Sequence, residues 1–206
     1  MPKDTFFNLA PEKKARLFAA ISHEFSRKSF DDSAISEIIE LAGIPRGSFY
    51  QYFADKLDCY LYFVGQIQNE QNTLYLTILE KTSGDLFEAS KQFFKASITD
   101  VLEGSHSEFY QTMIEAHDFR LQRALGHGNM HQLIQKLYAQ TDLSLLRINS
   151  FEEFRDLVSL MLNIFFKSVG SYFHNHSKKD SLSVATVQES CLKMLSWLQY
   201  GVVKIN

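Results

Sequence analysis

Apolar residues recur along this chain at helical spacing. Leu17, Phe18, Ile21 and Phe25 fall three and four apart, and Pro11 stands ahead of them, where a first-turn proline is tolerated. A helix is expected from 11 to 27. Ile35, Ile38, Ile39 and Ala42 form a second stripe. Asp31, Asp32 and Ser33 offer it a capped start, Glu37 suits its positive end, and Gly43 closes it. A short third helix is expected from Pro45 to Phe53, and a long fourth from Asp55 to Lys81. Further helices are expected at 84–103, 107–118, 129–146, 151–176 and 182–203, parted by Ser83-Gly84, Gly104-Ser105, Gly126-His127-Gly128, Asn149-Ser150 and Ser177-Lys178-Lys179-Asp180. The stretch 119–128 carries no clear pattern. The prolines are Pro2, Pro11 and Pro45, so nothing after Pro45 interrupts a helix interior. Alternating runs of β-branched residues are missing. The expected fold class is all-α.

Composition narrows the class. Hydrophobic residues are 45% and charged residues 22% of the 206, the balance of a folded globular protein. The polar start Met1-Pro2-Lys3-Asp4 is unlike a secretory leader, and no stretch has the apolar length of a membrane span. Cys59 and Cys191 fit no metal or redox spacing and read as reduced thiols of a cytoplasmic protein. The net charge is −3; residues 1–56 hold eight basic and eight acidic residues, so they are neutral rather than basic. Any contact with a nucleic acid must therefore come from a local arrangement of positive groups.

Residues 33–53, with Arg46 inside the stretch and Lys56 just beyond it, are the candidate for such a contact. Two short helices meet at Leu41–Pro45, where Gly43 can take a positive φ, and Ile38, Ala42 and Ile44 can pack inside the crossing. Helices joined this way form a helix-turn-helix that reads DNA, although the same unit also occurs as plain packing. The third helix is expected to present Arg46, Ser48, Gln51 and Tyr52 to solvent and to turn Phe49 and Phe53 inward. Arginine can bond two guanine acceptors and glutamine can pair with adenine. Gly47 allows close approach of backbone to phosphate, and Lys56 adds a charge at a helix N-terminus. Tyr50 is equally readable as core, and Ser33 as a cap only.

The run Ala42-Gly43-Ile44-Pro45-Arg46-Gly47-Ser48-Phe49-Tyr50-Gln51-Tyr52-Phe53-Ala54-Asp55-Lys56-Leu57 resembles the TetR family of bacterial regulators in its glycines, its Tyr-x-Tyr-Phe and the lysine after it. With Pro11–Phe30 the resemblance covers about residues 11–60. It implies a DNA-binding domain at 1–55 and a helical domain for effector binding and dimerisation at 56–206. It also implies that Ser33, Arg46, Gly47, Ser48, Tyr50, Gln51, Tyr52 and Lys56 meet a double-stranded DNA operator. Arg46 and Gln51 would read bases, while Ser33, Tyr50 and Lys56 would hold phosphates. Pro45 stands where the family commonly has serine and supplies neither a capping oxygen nor an N–H. Cys59-Tyr60 replaces a usual leucine. Repression relieved by a small-molecule effector is the family's commoner mode, and no cofactor is implied.

Beyond residue 60 only length and helical character match. Phe154, Val158, Met161, Leu162, Phe165, Val169 and Phe173, then Leu192, Leu195, Leu198 and Val202, give the helices near 151–176 and 182–203 broad apolar faces. These faces suit either a homodimer interface or an intrachain core. Phe94, Tyr110, Met113, Tyr138, Phe165 and Phe166 are candidates to line an apolar or aromatic effector, with His117 as a polar anchor; ordinary core positions are the competing reading. Enzyme chemistry finds little footing. His127 and His131 are four apart but flank the helix-breaking Gly128, His174 and His176 lie on different faces, and no phosphate loop or nucleophile motif occurs. The alternative to a regulator is a helical ligand-binding or adaptor protein without DNA binding.

Overall fold

The computed structural model describes residues 2–115, 129–176 and 182–202. Helices are α1 Asp4–Phe7, α2 Pro11–Arg27, α3 Ile35–Ala42, α4 Arg46–Tyr52, α5 Lys56–Lys81, α6 Leu86–Glu103, α7 Ser107–Glu115, α8 Asn129–Gln140, α9 Phe151–His176 and α10 Val184–Tyr200, with a 3₁₀ turn at Leu143–Leu145. No strand occurs among the described residues, and no helix there is long and apolar enough to cross a membrane.

The chain divides into two compact units, 2–70 with 108–115 and 71–107 with 129–176 and 182–202. The core of the first joins Phe6, Leu17, Ile21, Phe25, Ile38, Ala42, Ile44, Phe49 and Phe53 to Cys59, Tyr60 and Phe63 of α5 and Phe109 of α7. This unit runs past residue 55, the domain limit expected from the sequence. The cause is aromatic packing: Phe63 lies 6.0 Å from both Phe18 and Phe25, and 5.2 Å from Phe109, between ring centroids. Cys59 is fully buried; burial pushes its thiol up, and Asp58 adds to the effect.

In the second unit α6 packs on α10 and α9, and α9 on α10. Phe154, Val158, Met161, Val169 and Leu195 are buried inside the chain, which settles the intrachain reading for those positions. Tyr75 stacks on Phe93 at 4.3 Å, and its hydroxyl lies 2.6 Å from Ser90 Oγ. Burial raises the Tyr75 pKa to about 12, against a smaller lowering by Ser90. Asp85 caps α6 by accepting the Glu88 N–H at 2.9 Å, and Ser183 caps α10 through Thr186 N–H.

The helix expected over 129–146 ends at Gln140. Asp142 donates its N–H to the Gly84 carbonyl at 2.9 Å and takes the Ser144 N–H on its carboxylate at 3.0 Å, which diverts the backbone into the 3₁₀ turn. Gly84 sits at φ +83°, and a Cβ there would lie 2.7 Å from Asp142 N and 2.9 Å from Gln140 O. Both neighbours are backbone. Gly84→Ala is expected to cost about 2–4 kcal/mol of stability, read by urea denaturation, because strain and steric clash add; a loss under about 0.5 kcal/mol contradicts this packing.

Candidate nucleic-acid interface

Three connections hold the helix-turn-helix. Gly43, at φ 59°, ends α3 in a left-handed turn: its N–H reaches Glu40 O at 3.1 Å, and the Ile44 N–H reaches Ile39 O at 3.1 Å. Ile44 is buried and Ile39 packs on the same core, the hydrophobic contact that such a turn favours. Arg16 of α2 donates from Nε to the Ala42 carbonyl at 2.9 Å, covering the other end of the turn.

The N-terminus of α3 is capped from a distance. Asp31, Asp32 and Ser33 were expected to cap it, yet the N-cap position is Ala34, with no side-chain bond of its own. Glu24 of α2, only 3% exposed, supplies the oxygen: its Oε1 accepts the Ala34 N–H at 2.8 Å and the Lys28 ammonium at 3.1 Å. A cap ten residues upstream leaves no local signature.

α4 is a seven-residue helix with two faces. Phe49 and Tyr52, three apart, are buried; Arg46, Gly47, Tyr50 and Gln51 are exposed, and Ser48 is half-buried. Tyr52 corrects the expectation that it faces solvent. Spacing of three from Phe49 places it on the inner face, and its ring packs 6.4 Å from Phe6. Tyr50, the position readable as core, is 38% exposed. A Cβ built on Gly47 meets nothing within 4 Å, so no packing within the described chain asks for glycine there. Pro45 is the N-cap of α4 and makes no side-chain cap bond.

Ser33 and Lys56 are turned inward. Ser33 is buried and its hydroxyl donates to the Phe30 carbonyl at 2.8 Å. Lys56 Nζ donates to the carbonyls of Phe30 at 2.6 Å, Ser33 at 2.8 Å and Asp31 at 3.4 Å, and lies 4.6 Å from the Phe30 ring centroid. Three carbonyls match its three N–H donors, so a phosphate contact would have to displace one. Lys56→Met is expected to cost about 1–3 kcal/mol in a urea melt, because two partly buried carbonyls lose a charged partner. A pure phosphate ligand would instead leave stability unchanged and lower the salt dependence of DNA binding by about one charge.

The residues expected to line an effector site do not gather in one core. Tyr110 and Met113 pack against the core of the first unit. Phe94 and Phe165 meet in the second, 5.2 Å apart, while Tyr138 packs on Phe151 and Phe154 at 5.3 and 5.1 Å. Phe166 is 59% exposed and lines no interior. His117 lies outside the described residues. The second unit also holds a partly buried polar chain that no local pattern announces: Ser97 Oγ donates to Gln71 Oε1 at 2.8 Å, and Gln71 Nε2 to Asp100 Oδ2 at 2.9 Å. Its signal is weak, since the partners are 26 and 29 residues apart. Among the described residues no cluster of His, Cys, Asp and Glu could hold a metal.

The comparisons with known proteins match the N-terminal and C-terminal parts of the chain separately. Residues 17–63 match the family described as bacterial regulatory proteins, tetR family, and residues 85–202 match the tetracyclin repressor-like C-terminal domain. Over 45 residues the chain is 44% identical to an uncharacterized HTH-type transcriptional regulator, YdgC, of Bacillus subtilis (strain 168), a match spanning 22% of this chain and 23% of that one. The chain thus aligns with less than a quarter of that regulator's length. A solved TetR family transcriptional regulator from Chloroflexus aurantiacus J-10-FL is 25% identical, with 96% of this chain and 94% of that one covered at a TM-score of 0.50. A tetR-family regulator from Streptomyces coelicolor shares the fold at a TM-score of 0.64, with 18% identity, 92% of this chain covered and 81% of that one. The C-terminal match takes in more than half of the residues, and together with the helix-turn-helix it shows that the chain belongs to the TetR family of transcriptional regulators.

Proposed function

We propose that this regulator binds a two-fold symmetric operator through the exposed face of α4 and represses transcription until a small apolar or aromatic effector releases it. The observation that carries the reading is the composition of that face: Arg46, Gly47, Tyr50 and Gln51 outward, Phe49 and Tyr52 inward. Arg46 and Gln51 are base-reading side chains, Tyr50 and Ser48 are hydroxyl donors to phosphate, and Gly47 leaves room for a phosphate against the helix start. Ser33, Tyr52 and Lys56 act from behind the face by bracing it. Selecting duplexes from a randomised library with the purified full chain tests this. Recovery of a palindrome supports the reading; recovery of no preferred sequence sinks it.

Two heads on one palindrome require a dimer. The exposed apolar residues Leu160 and Phe166 of α9 and Trp197 and Tyr200 of α10, 52%, 59%, 47% and 70% exposed, support an interface on these two helices. Phe166→Glu combined with Trp197→Glu is expected to convert the dimer to a monomer in sedimentation; a wild-type sedimentation coefficient places the interface elsewhere.

The effector's leverage on the head would pass through α5 and α7. Both lend aromatics to the head core, and Thr112 of α7 donates its hydroxyl to the Ser26 carbonyl at the end of α2 at 3.0 Å. An effector that favours a state with these helices displaced would lower the DNA-competent population. Phe94 and Phe165, with Gln71 and Asp100 as polar partners, are the proposed surroundings of that effector.

A further inference from the structure

The C-terminal end of α4 is held by the chain's own beginning. A helix leaves its last four carbonyls without intrahelical partners, and one of two turns has little to resist fraying. Here all four are met. Phe49 O takes the Phe53 N–H at 2.9 Å. Tyr50 O takes the Lys3 ammonium at 2.7 Å, Gln51 O takes the Thr5 hydroxyl, and Tyr52 O takes the Lys3 backbone N–H at 2.8 Å. Phe6, fully buried on α1, anchors the segment beneath α4, with ring centroids 5.1 Å from Phe53 and 4.9 Å from Tyr62.

We infer that residues 3–6 are a positioning element for DNA reading: Lys3 and Thr5 hold the last turn of α4, and with it Tyr50 and Gln51, in the geometry that meets the operator. The backbone of Tyr50 and Gln51 is gripped while both side chains remain exposed, so the clamp fixes direction without covering the face. The inference rests on the DNA-reading role of α4.

Thr5→Val tests it most cleanly, since Thr5 is exposed and the change removes one O–H donor and no charge. Hydrogen exchange of the α4 amides is expected to speed about 3- to 10-fold, with α6 amides unchanged as an internal reference. Affinity for a duplex selected by the wild-type chain is expected to fall by a similar factor, with an unchanged salt slope, and Thr5→Ser is expected to restore both. Unchanged α4 exchange overturns the clamp; faster exchange with wild-type affinity overturns its positioning role. Lys3→Met separates the remaining possibility. If Lys3 serves DNA directly, this variant lowers the salt slope by about one without altering α4 exchange, and that outcome also overturns the proposal. Should the wild-type chain prefer no duplex, the DNA-reading role fails, while the exchange arm still decides whether the clamp exists.

Discussion

Replacing Arg46 and Gln51 together by alanine is expected to weaken binding to the selected operator by roughly 100-fold or more, while the thermal midpoint stays near that of the wild type. A good bidentate contact to a base edge is worth about 1–3 kcal/mol, so losing two that act independently costs roughly 2–6 kcal/mol. Both side chains are exposed, where substitutions usually change stability by less than about 0.5 kcal/mol. Fluorescence anisotropy with the selected duplex and with a scrambled one separates reading from anchoring. Loss of specific binding with little change on the scrambled duplex marks base readers. Equal loss on both marks phosphate contacts, and no loss removes α4 from the interface.

Phe63→Ala is expected to cost about 3–5 kcal/mol, the usual penalty for emptying a buried phenylalanine site. Set against a typical total of about 5–15 kcal/mol, this leaves the protein marginal. The residue is fully buried and its ring touches α2 through Phe18 and Phe25 and α7 through Phe109. A urea melt reads the loss directly. A cost below about 1 kcal/mol would mean that the first half of α5 and α7 do not share the head's core. That result would also remove the route by which an effector is proposed to reach the head.

Both cases show what kind of information the residue order carries. The helices from Pro11 onward were largely legible because apolar spacing and boundary signals are local: Pro11 and Gly43 each act within a few residues of themselves. The helix-turn-helix was legible for the same reason, as was the inward turn of Phe49. Tyr52 lies three residues from Phe49 on the same face, a signal that was present and outweighed by the expectation of a polar contact. Other features had no local sign. Glu24 caps α3 across ten residues, Lys56 gathers carbonyls 23 to 26 residues away, and Lys3 reaches Tyr50 across 47. Nothing in a four-residue α1 announces a helix; its existence depends on Phe6 finding a core built by later residues. α7 reads as part of an effector domain by position, and only its aromatic contacts place Phe109 with the head. The end of α8 was missed because Asp142 is claimed by Gly84, a partner far back in the chain.

The central claim is that this chain reads DNA through α4. The most direct measurement is the anisotropy titration of the wild-type full chain on the selected duplex and on its scrambled counterpart, repeated at about 50 and 200 mM salt. Binding at both salts, weakening steeply as salt rises and retaining a preference of about 1,000-fold or more for the selected sequence, is the expected result. Equal affinity for the two duplexes, or no binding at the lower salt, contradicts it.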